Sequence, residues 1–251
     1  MSYIVEVKNL VKAYSGKKVV KGVSFNVKKG EIFGIIGPNG AGKTTTLEMI
    51  EALRPIDSGE AKIDGIEVAK NPYKIKEIIG IQPQTPAFEE HMRLTEILEV
   101  FASTYGRKVD AMQALRSVQL EEKAKSFPEQ LSGGQRQRFS IAVALVNKPK
   151  VFFLDEPTTG LDPQSRRNLW DLVQTIRKKG VTVILTTHYM DEAELLCDRI
   201  AIMDNGKIIA LDTPNAMIKN LLARGFKKKQ HVKQASLEDV FIDLTGKELR
   251  D

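Results

Sequence analysis

The stretch Gly37-Pro38-Asn39-Gly40-Ala41-Gly42-Lys43-Thr44 fits the pattern G-x-x-x-x-G-K-[ST]. Glycines at this spacing let the backbone wrap until several N–H groups converge on phosphate oxygens. A lysine adds a compact positive charge for the outer phosphates, and a threonine hydroxyl can ligate Mg2+. The dinucleotide pattern G-x-G-x-x-G spaces its glycines differently and does not fit. A second chemical stretch is "VFFLDEP", where Asp155 and Glu156 end a short apolar run. Asp155 is placed to hold Mg2+, directly or through water. Glu156 is placed to accept a proton from, or to orient, a water that attacks a γ-phosphate. "VTVILTTH" is a run of the same kind and ends in His188, within reach of that phosphate. His91 and His231 have no comparable setting.

These groups need rigid elements to hold them. "EIFGII" is a compact β-branched run leading straight into the glycine-rich turn. Beyond Thr45 a helix follows, with Leu47, Ile50 and Leu53 at helical spacing. The positive end of that helix, beginning near Lys43, faces the phosphate position. "IVEV" and "VSFNV" predict two earlier strands, "RPIDSGEAKIDG" a turn, a short strand and a turn, and "IIGIQPQTPAF" a strand stopped by prolines. From about Thr85 to Lys148 the pattern is mostly helical. "LTEILEVFASTYG" has apolar residues at 94, 97, 98 and 101, and "DAMQALRSV" repeats that spacing. After this block, strand and helix alternate again. The order predicts an α/β fold whose parallel core carries a helical insertion. In open sheets of this kind ligands sit at the carboxyl ends of strands.

The chain has 251 residues, enough for one large domain or a domain with a lobe. Its formal charge of +6 suits an acidic nucleotide or a membrane surface without selecting either. Part of the excess lies in "GFKKKQHVK", Gly225 to Lys233. Cys197 is the only cysteine, so no intrachain disulfide is possible, which fits a reducing cytosol. The opening "MSYIVEVKNL" lacks the apolar stretch of a signal peptide. The longest apolar run, Ile141 to Val146, falls far short of the roughly 20 residues that span a bilayer.

The order of these motifs resembles the nucleotide-binding subunits of ATP-binding cassette (ABC) transporters, over roughly residues 4 to 211. Tyr14 in "VKAYSGKKVV" matches the aromatic residue that stacks on adenine. Gly37 to Thr44 match the P-loop. In "QPQTPAF", Gln84 matches the Q-loop glutamine, and Gln82 stands where the family usually has an apolar residue. Leu131-Ser132-Gly133-Gly134-Gln135 matches the family signature "LSGGQ". "VFFLDE" matches the Walker B strand, "TTGLDP" the D-loop with Asp162 at its acid, and "TTH" the switch histidine.

The resemblance implies a P-loop NTPase core with an antiparallel β region and a helical subdomain at about 87–148. The cassette would occupy 1–211 and a short helical tail 212–251. It implies ATP and Mg2+, with Tyr14 on adenine and Lys43, Thr45 and the loop amides of Gly37, Pro38, Asn39, Gly40, Ala41 and Gly42 on the phosphates. Thr44 and Gln84 would ligate the metal and Asp155 would hold it through water. Glu156 would be the general base, with His188 sensing the γ-phosphate. Two subunits would pair head to tail, the signature of each on the ATP of the other, with Asp162 at the partner contact. Membrane permease subunits would dock near Ala87 to Leu98, at the cytoplasmic face of the membrane. No nucleic acid partner is expected.

The ending "ASLEDVFIDLTGKELRD" resembles the ATPase subunits of ABC-2-type exporters, including drug-resistance and sodium-efflux systems. As plain sequence it is an amphipathic helix of Leu237, Val240, Phe241 and Leu244. Those relatives carry a longer segment before it than "LARGFKKKQHVKQ". An importer subunit, or an ABC ATPase acting on ribosomes or DNA, is the rival within the resemblance. The second rival usually has two cassettes or a long coiled coil, and this chain has neither. A GTPase needs N-K-x-D, and "NKPK" at Asn147 lacks the acid.

Overall fold

The computed structural model describes residues 3–226. In chain order the elements are β1 (Tyr3–Tyr14), β2 (Lys17–Lys28), β3 (Ile32–Ile36), α1 (Lys43–Ile50), β4 (Ser58–Ile63), β5 (Ile66–Glu67), α2 (Pro72–Ile78) and β6 (Ile79–Gln82). The helical block follows as α3 (Leu94–Thr104), α4 (Ala111–Ser117) and α5 (Gly133–Ala144). Then come β7 (Val151–Asp155), α6 (Pro163–Lys178), β8 (Thr182–Thr187), α7 (Met190–Leu196), β9 (Arg199–Asp204), β10 (Lys207–Asp212) and α8 (Pro214–Ala223). A compact unit extends to Ala216. The lysine run and the amphipathic ending lie outside the described residues.

Two sheets build the unit. One is antiparallel, in the order β2-β1-β4-β5. The other runs β10-β9-β3-β8-β7-β6 and is parallel except for β10, which pairs antiparallel with β9. The expected parallel core is present, with one antiparallel strand added at this edge. The reason is a two-residue hairpin at Asn205-Gly206, where both residues have positive φ, 47° and 80°. Asn-Gly favours that turn because its twist matches the flanking strands. Ser15-Gly16 and Asp64-Gly65 make the same kind of turn between β1 and β2 and between β4 and β5. They also explain why the first two strands are 12 residues each, far longer than their most apolar stretches.

Period-two alternation sorts β3 between two layers. Phe33 and Ile35 enter a core shared with the antiparallel sheet and α1. There the Phe33 ring stacks on Phe25 at 5.1 Å. On the opposite face, β3 and β8 are covered by α6 and α7, with Leu169, Val173, Leu196 and Cys197 buried. The helices α3, α4 and α5 form a separate apolar cluster around Leu98, Leu115 and Phe139. Leu94, Ile97 and Leu98 are buried as the periodicity predicts, but Phe101 is 41% exposed; Ala102 takes the inward place. Because β3, β6, β7 and β8 are parallel, the loops after them leave from one edge. Those loops carry Lys43, Gln84, Glu156 and His188.

Candidate functional site

At that edge Asn39, Gly40, Gly42, Lys43, Thr44, Thr45, Gln84 and Glu156 line an open cleft of about 270 Å3, together with Val19. The other loop residues shape it from beneath. The carbonyls of Gly37 and Pro38 accept from Lys43 Nζ at 2.9 and 3.2 Å. Ala41 is buried, and its carbonyl accepts from the Gly206 N–H at 3.0 Å. Gly37 admits no side chain, since a Cβ there would stand 2.1 Å from the Met203 carbonyl oxygen. The loop is thus clamped onto β9. Tyr14 lies at the end of β1, half-exposed and outside the lining of this cleft. Lys12 Nζ and the Arg54 guanidinium each stand 5.7 Å from its ring.

Glu156 gathers the site. Its Oε1 is 3.3 Å from Lys43 Nζ. Its Oε2 is 3.2 Å from His188 Nδ1 and accepts from Gln84 Nε2 at 3.3 Å and Thr159 Oγ1 at 3.4 Å. The residue has φ 47°, a left-handed conformation unusual for a β-carbon-bearing residue. Such a conformation costs on the order of 1–3 kcal/mol and persists where the surroundings impose it. Here its N–H donates to Thr186 Oγ1 at 3.0 Å. The sequence reading missed Thr186, whose hydroxyl also donates to Asp155 Oδ1. A threonine in a strand carries no spacing signal for such a role.

Asp155 closes β7 and accepts from Thr44 Oγ1 at 3.3 Å. Burial pushes its carboxyl above the ordinary range, against the hydrogen bonds from Thr186 and Thr44. Glu51, at the end of α1, is pushed up to about 8 by burial, then by the charges of Asp155 and Glu48. Asp155 and Glu156 both carry charge close to the ammonium of Lys43, and Glu51 adds its own beside Asp155. Such a donor set, rich in oxygen and short of positive charge, suits a hard divalent cation. Among the described residues no group of three or more His, Cys, Asp or Glu forms a metal cage. Mg2+ is commonly held by one or two carboxylates together with substrate phosphates.

The signature residues do not line this cleft. Ser132 caps α5: its Oγ accepts from the Gln135 N–H at 3.3 Å, and Gln135 Oε1 accepts from the Ser132 N–H at 3.0 Å. This is the reciprocal capping box S-x-x-Q, a signal the sequence held. Leu131 packs on the helical cluster. A Cβ on Gly134 would meet Ser165 Oγ at 2.7 Å, whereas one on Gly133 would meet only Leu161, at 4.0 Å. Asp162 caps α6, its Oδ1 accepting from the Ser165 N–H at 2.9 Å; the Ser165 hydroxyl first, and this N–H after it, hold its carboxyl below the usual range. Gln82 is wholly buried, and its Nε2 donates to the Pro83 carbonyl at 2.6 Å. Of the stretch Ala87 to Leu98, only Ala87 and Phe88 line an apolar cleft of about 290 Å3, shared with Leu53, Phe101 and Tyr105. Among the described residues no helix is long and apolar enough to cross a membrane.

Residues 20–159 match the family model described as "ABC transporter". The linearmycin resistance ATP-binding protein of Bacillus subtilis (strain 168) is 44% identical, across 87% of this chain and 72% of its own length. The Nod factor export ATP-binding protein I of Burkholderia orbicola (strain AU 1054) is 34% identical across 98% of each chain. A solved ATP-binding subunit of an ABC transporter superposes with a TM-score of 0.79 at 32% identity, over 96% of this chain and 99% of that one. A dimeric bacterial ABC transporter cassette gives 0.75 at 29% identity, over 83% and 98%. The family model covers more than half of the chain, and the chain belongs to the ABC transporter family as an ATP-binding, ATP-hydrolysing subunit.

Proposed function

We propose that this subunit hydrolyses ATP in a head-to-tail pair with a second ATPase subunit and so drives export through separate membrane subunits. The observation that carries the hydrolytic reading is that four strand ends meet at one cleft, lined by Lys43, Gln84 and Glu156, with Asp155 bonded to Thr44 and His188 beside Glu156. The backbone amides of the loop and Lys43 bind the phosphates, and Tyr14 stacks on the adenine. Thr44 and Gln84 would ligate Mg2+, with Asp155 holding it through water. When bound, the ion neutralises charge on the β- and γ-phosphates. Glu156 accepts the proton of the attacking water as the bond from the γ-phosphorus to the ADP oxygen breaks, releasing ADP and phosphate. His188 holds Glu156 from the far side and reports on the γ-phosphate. In the present arrangement Lys43 is paired with Glu156. Phosphate oxygens compete for that ammonium, so nucleotide arrival itself frees the base.

The signature supports the paired reading, because Gly133 is open toward solvent at a helix N-terminus, a ready anion site, and away from its own cleft. Exporter names among the relatives support the direction of transport, and the apolar cleft at Phe88, Phe101 and Tyr105 suits a membrane-subunit helix. The subunit would then sit at the cytoplasmic face of the membrane. The decisive variant is Glu156→Gln. It is expected to keep ATP affinity, to lose hydrolysis by about 100-fold or more, and to elute as an ATP-bound dimer in gel filtration. Wild-type turnover with no dimer would sink the assignment.

A further inference from the structure

Seven buried side-chain polar atoms among the described residues have no hydrogen-bond partner. His188 Nδ1 stands 3.2 Å from Glu156 Oε2, but three of the others, on Thr158, Arg166 and Glu192, gather beside α6 and α7 near the end of β8. Native interiors leave few such groups, so a cluster of them calls for an explanation.

Glu192 is its centre. It is on α7 and fully buried. Its Oε1 accepts from Trp170 Nε1 at 3.0 Å. Burial raises its carboxyl above the usual range, while the hydroxyls of Thr187 and Thr158, the Trp170 N–H and the Arg166 charge pull it back. Yet Glu192 Oε2 and Thr158 Oγ1 each remain without a completed bond. Thr187 immediately precedes His188, and its Oγ1 accepts from the Tyr189 N–H at 2.9 Å. Thr158 lies two residues after Glu156 and four before Asp162. One carboxyl therefore stands beside both the turn that follows Glu156 and the loop that carries His188. Packing alone does not ask for it: an apolar side chain of similar volume would fill the space without the desolvation cost.

We infer that Glu192 is a positioning residue of the ATPase: through Thr158 and Thr187 it sets the 156–162 turn against the His188 loop. The inference rests on the hydrolytic reading above. The loose Glu192–Thr158 contact closes when the turn moves onto bound nucleotide, as active-site hydrogen bonds often tighten only in the reacting complex.

The test compares Glu192→Gln, Thr158→Val and Thr158→Ser in the full chain, by ATP hydrolysis, ATP affinity and thermal midpoint. Removing one such bond is expected to cost roughly 10-fold in kcat. Glu192→Gln and Thr158→Val should each show that loss with KM and thermal midpoint unchanged. Their combination should be no worse than the worse single variant, and Thr158→Ser should restore kcat. Normal kcat in both variants would overturn the inference, as would a loss that Thr158→Ser shares. A loss seen only with a lowered midpoint assigns Glu192 to packing and overturns it too. Glu156→Gln is the parallel control: its wild-type turnover would remove the site assignment itself, a result that reads separately.

Discussion

Lys43 is the one cation inside the cleft, and in the described arrangement it serves Gly37, Pro38 and Glu156 at once. Hydrogen bonds to charged groups contribute about 1.5–3 kcal/mol each. Lys43→Ala is therefore expected to weaken ATP binding by about 10- to 100-fold in calorimetry, and unchanged affinity would refute its role. The residues of this scale were legible where chemistry demands a type at a spacing: Lys43 and Thr44 after the glycines, Asp155 and Glu156 after an apolar run, His188 after another. Val19, Thr186 and Glu192 were not. Val19 enters by lining, Thr186 by two hydrogen bonds and Glu192 by burial, and all three depend on which elements become neighbours. Gln82 is a third kind of case, since its difference from the family was visible but its burial beside Pro83 was not.

At the scale of elements, α1 and α5 start on different devices. The first begins beneath a loop clamped to β9; the second begins on the Ser132–Gln135 box. The two signature glycines then separate. Gly134→Ala forces a methyl group against Ser165 and is expected to lower the thermal midpoint by several degrees in calorimetric scans. Gly133→Ala meets nothing close in its own chain. It should leave the midpoint unchanged and abolish concentration-dependent ATPase, because in the proposed pair its neighbour would be a phosphate of the partner's ATP. Equal loss of stability in both would undo that distinction. The far end of α1 makes a pH prediction. Glu51 titrates near 8 when folded and near 4.5 when not, so its contribution is complete below about pH 4.5 and is lost as pH rises through about 8. Glu51→Gln should thus raise the apo thermal midpoint more at pH 9 than at pH 6, and an equal shift at both would contradict it. Helix positions such as α3, α4 and α6 were readable from apolar spacing because each of these buries one face. The inward choice between Phe101 and Ala102 was not, because it is made by α4 and α5.

At the scale of the whole molecule, the two sheets of the described residues and the apolar clusters packed on them hold one functional edge. Alternation of strand and helix foretold the sheet with its inserted helices. Strand order and the antiparallel β10 edge were hidden, although Asn205-Gly206 announced the hairpin. Within the stretch Ala87 to Leu98, Leu94, Ile97 and Leu98 are buried in the helical cluster, and the surface proposed here for a membrane subunit is the cleft that Phe88 shares with Leu53, Phe101 and Tyr105. Phe101→Asp is expected to keep the thermal midpoint and ATP affinity and to lose co-purification with the membrane subunit. Retention of the complex would place docking elsewhere. Cys197, finally, is buried behind β3 and its thiol is pushed far up by burial. With no other sulfhydryl in the chain, thiol reagents at neutral pH find no ready target in the folded protein. A cysteine introduced at Asp162 or Gly133 would be the lone point of attachment for a spin label or fluorophore, and the natural sequence is already the blank background for watching two copies approach.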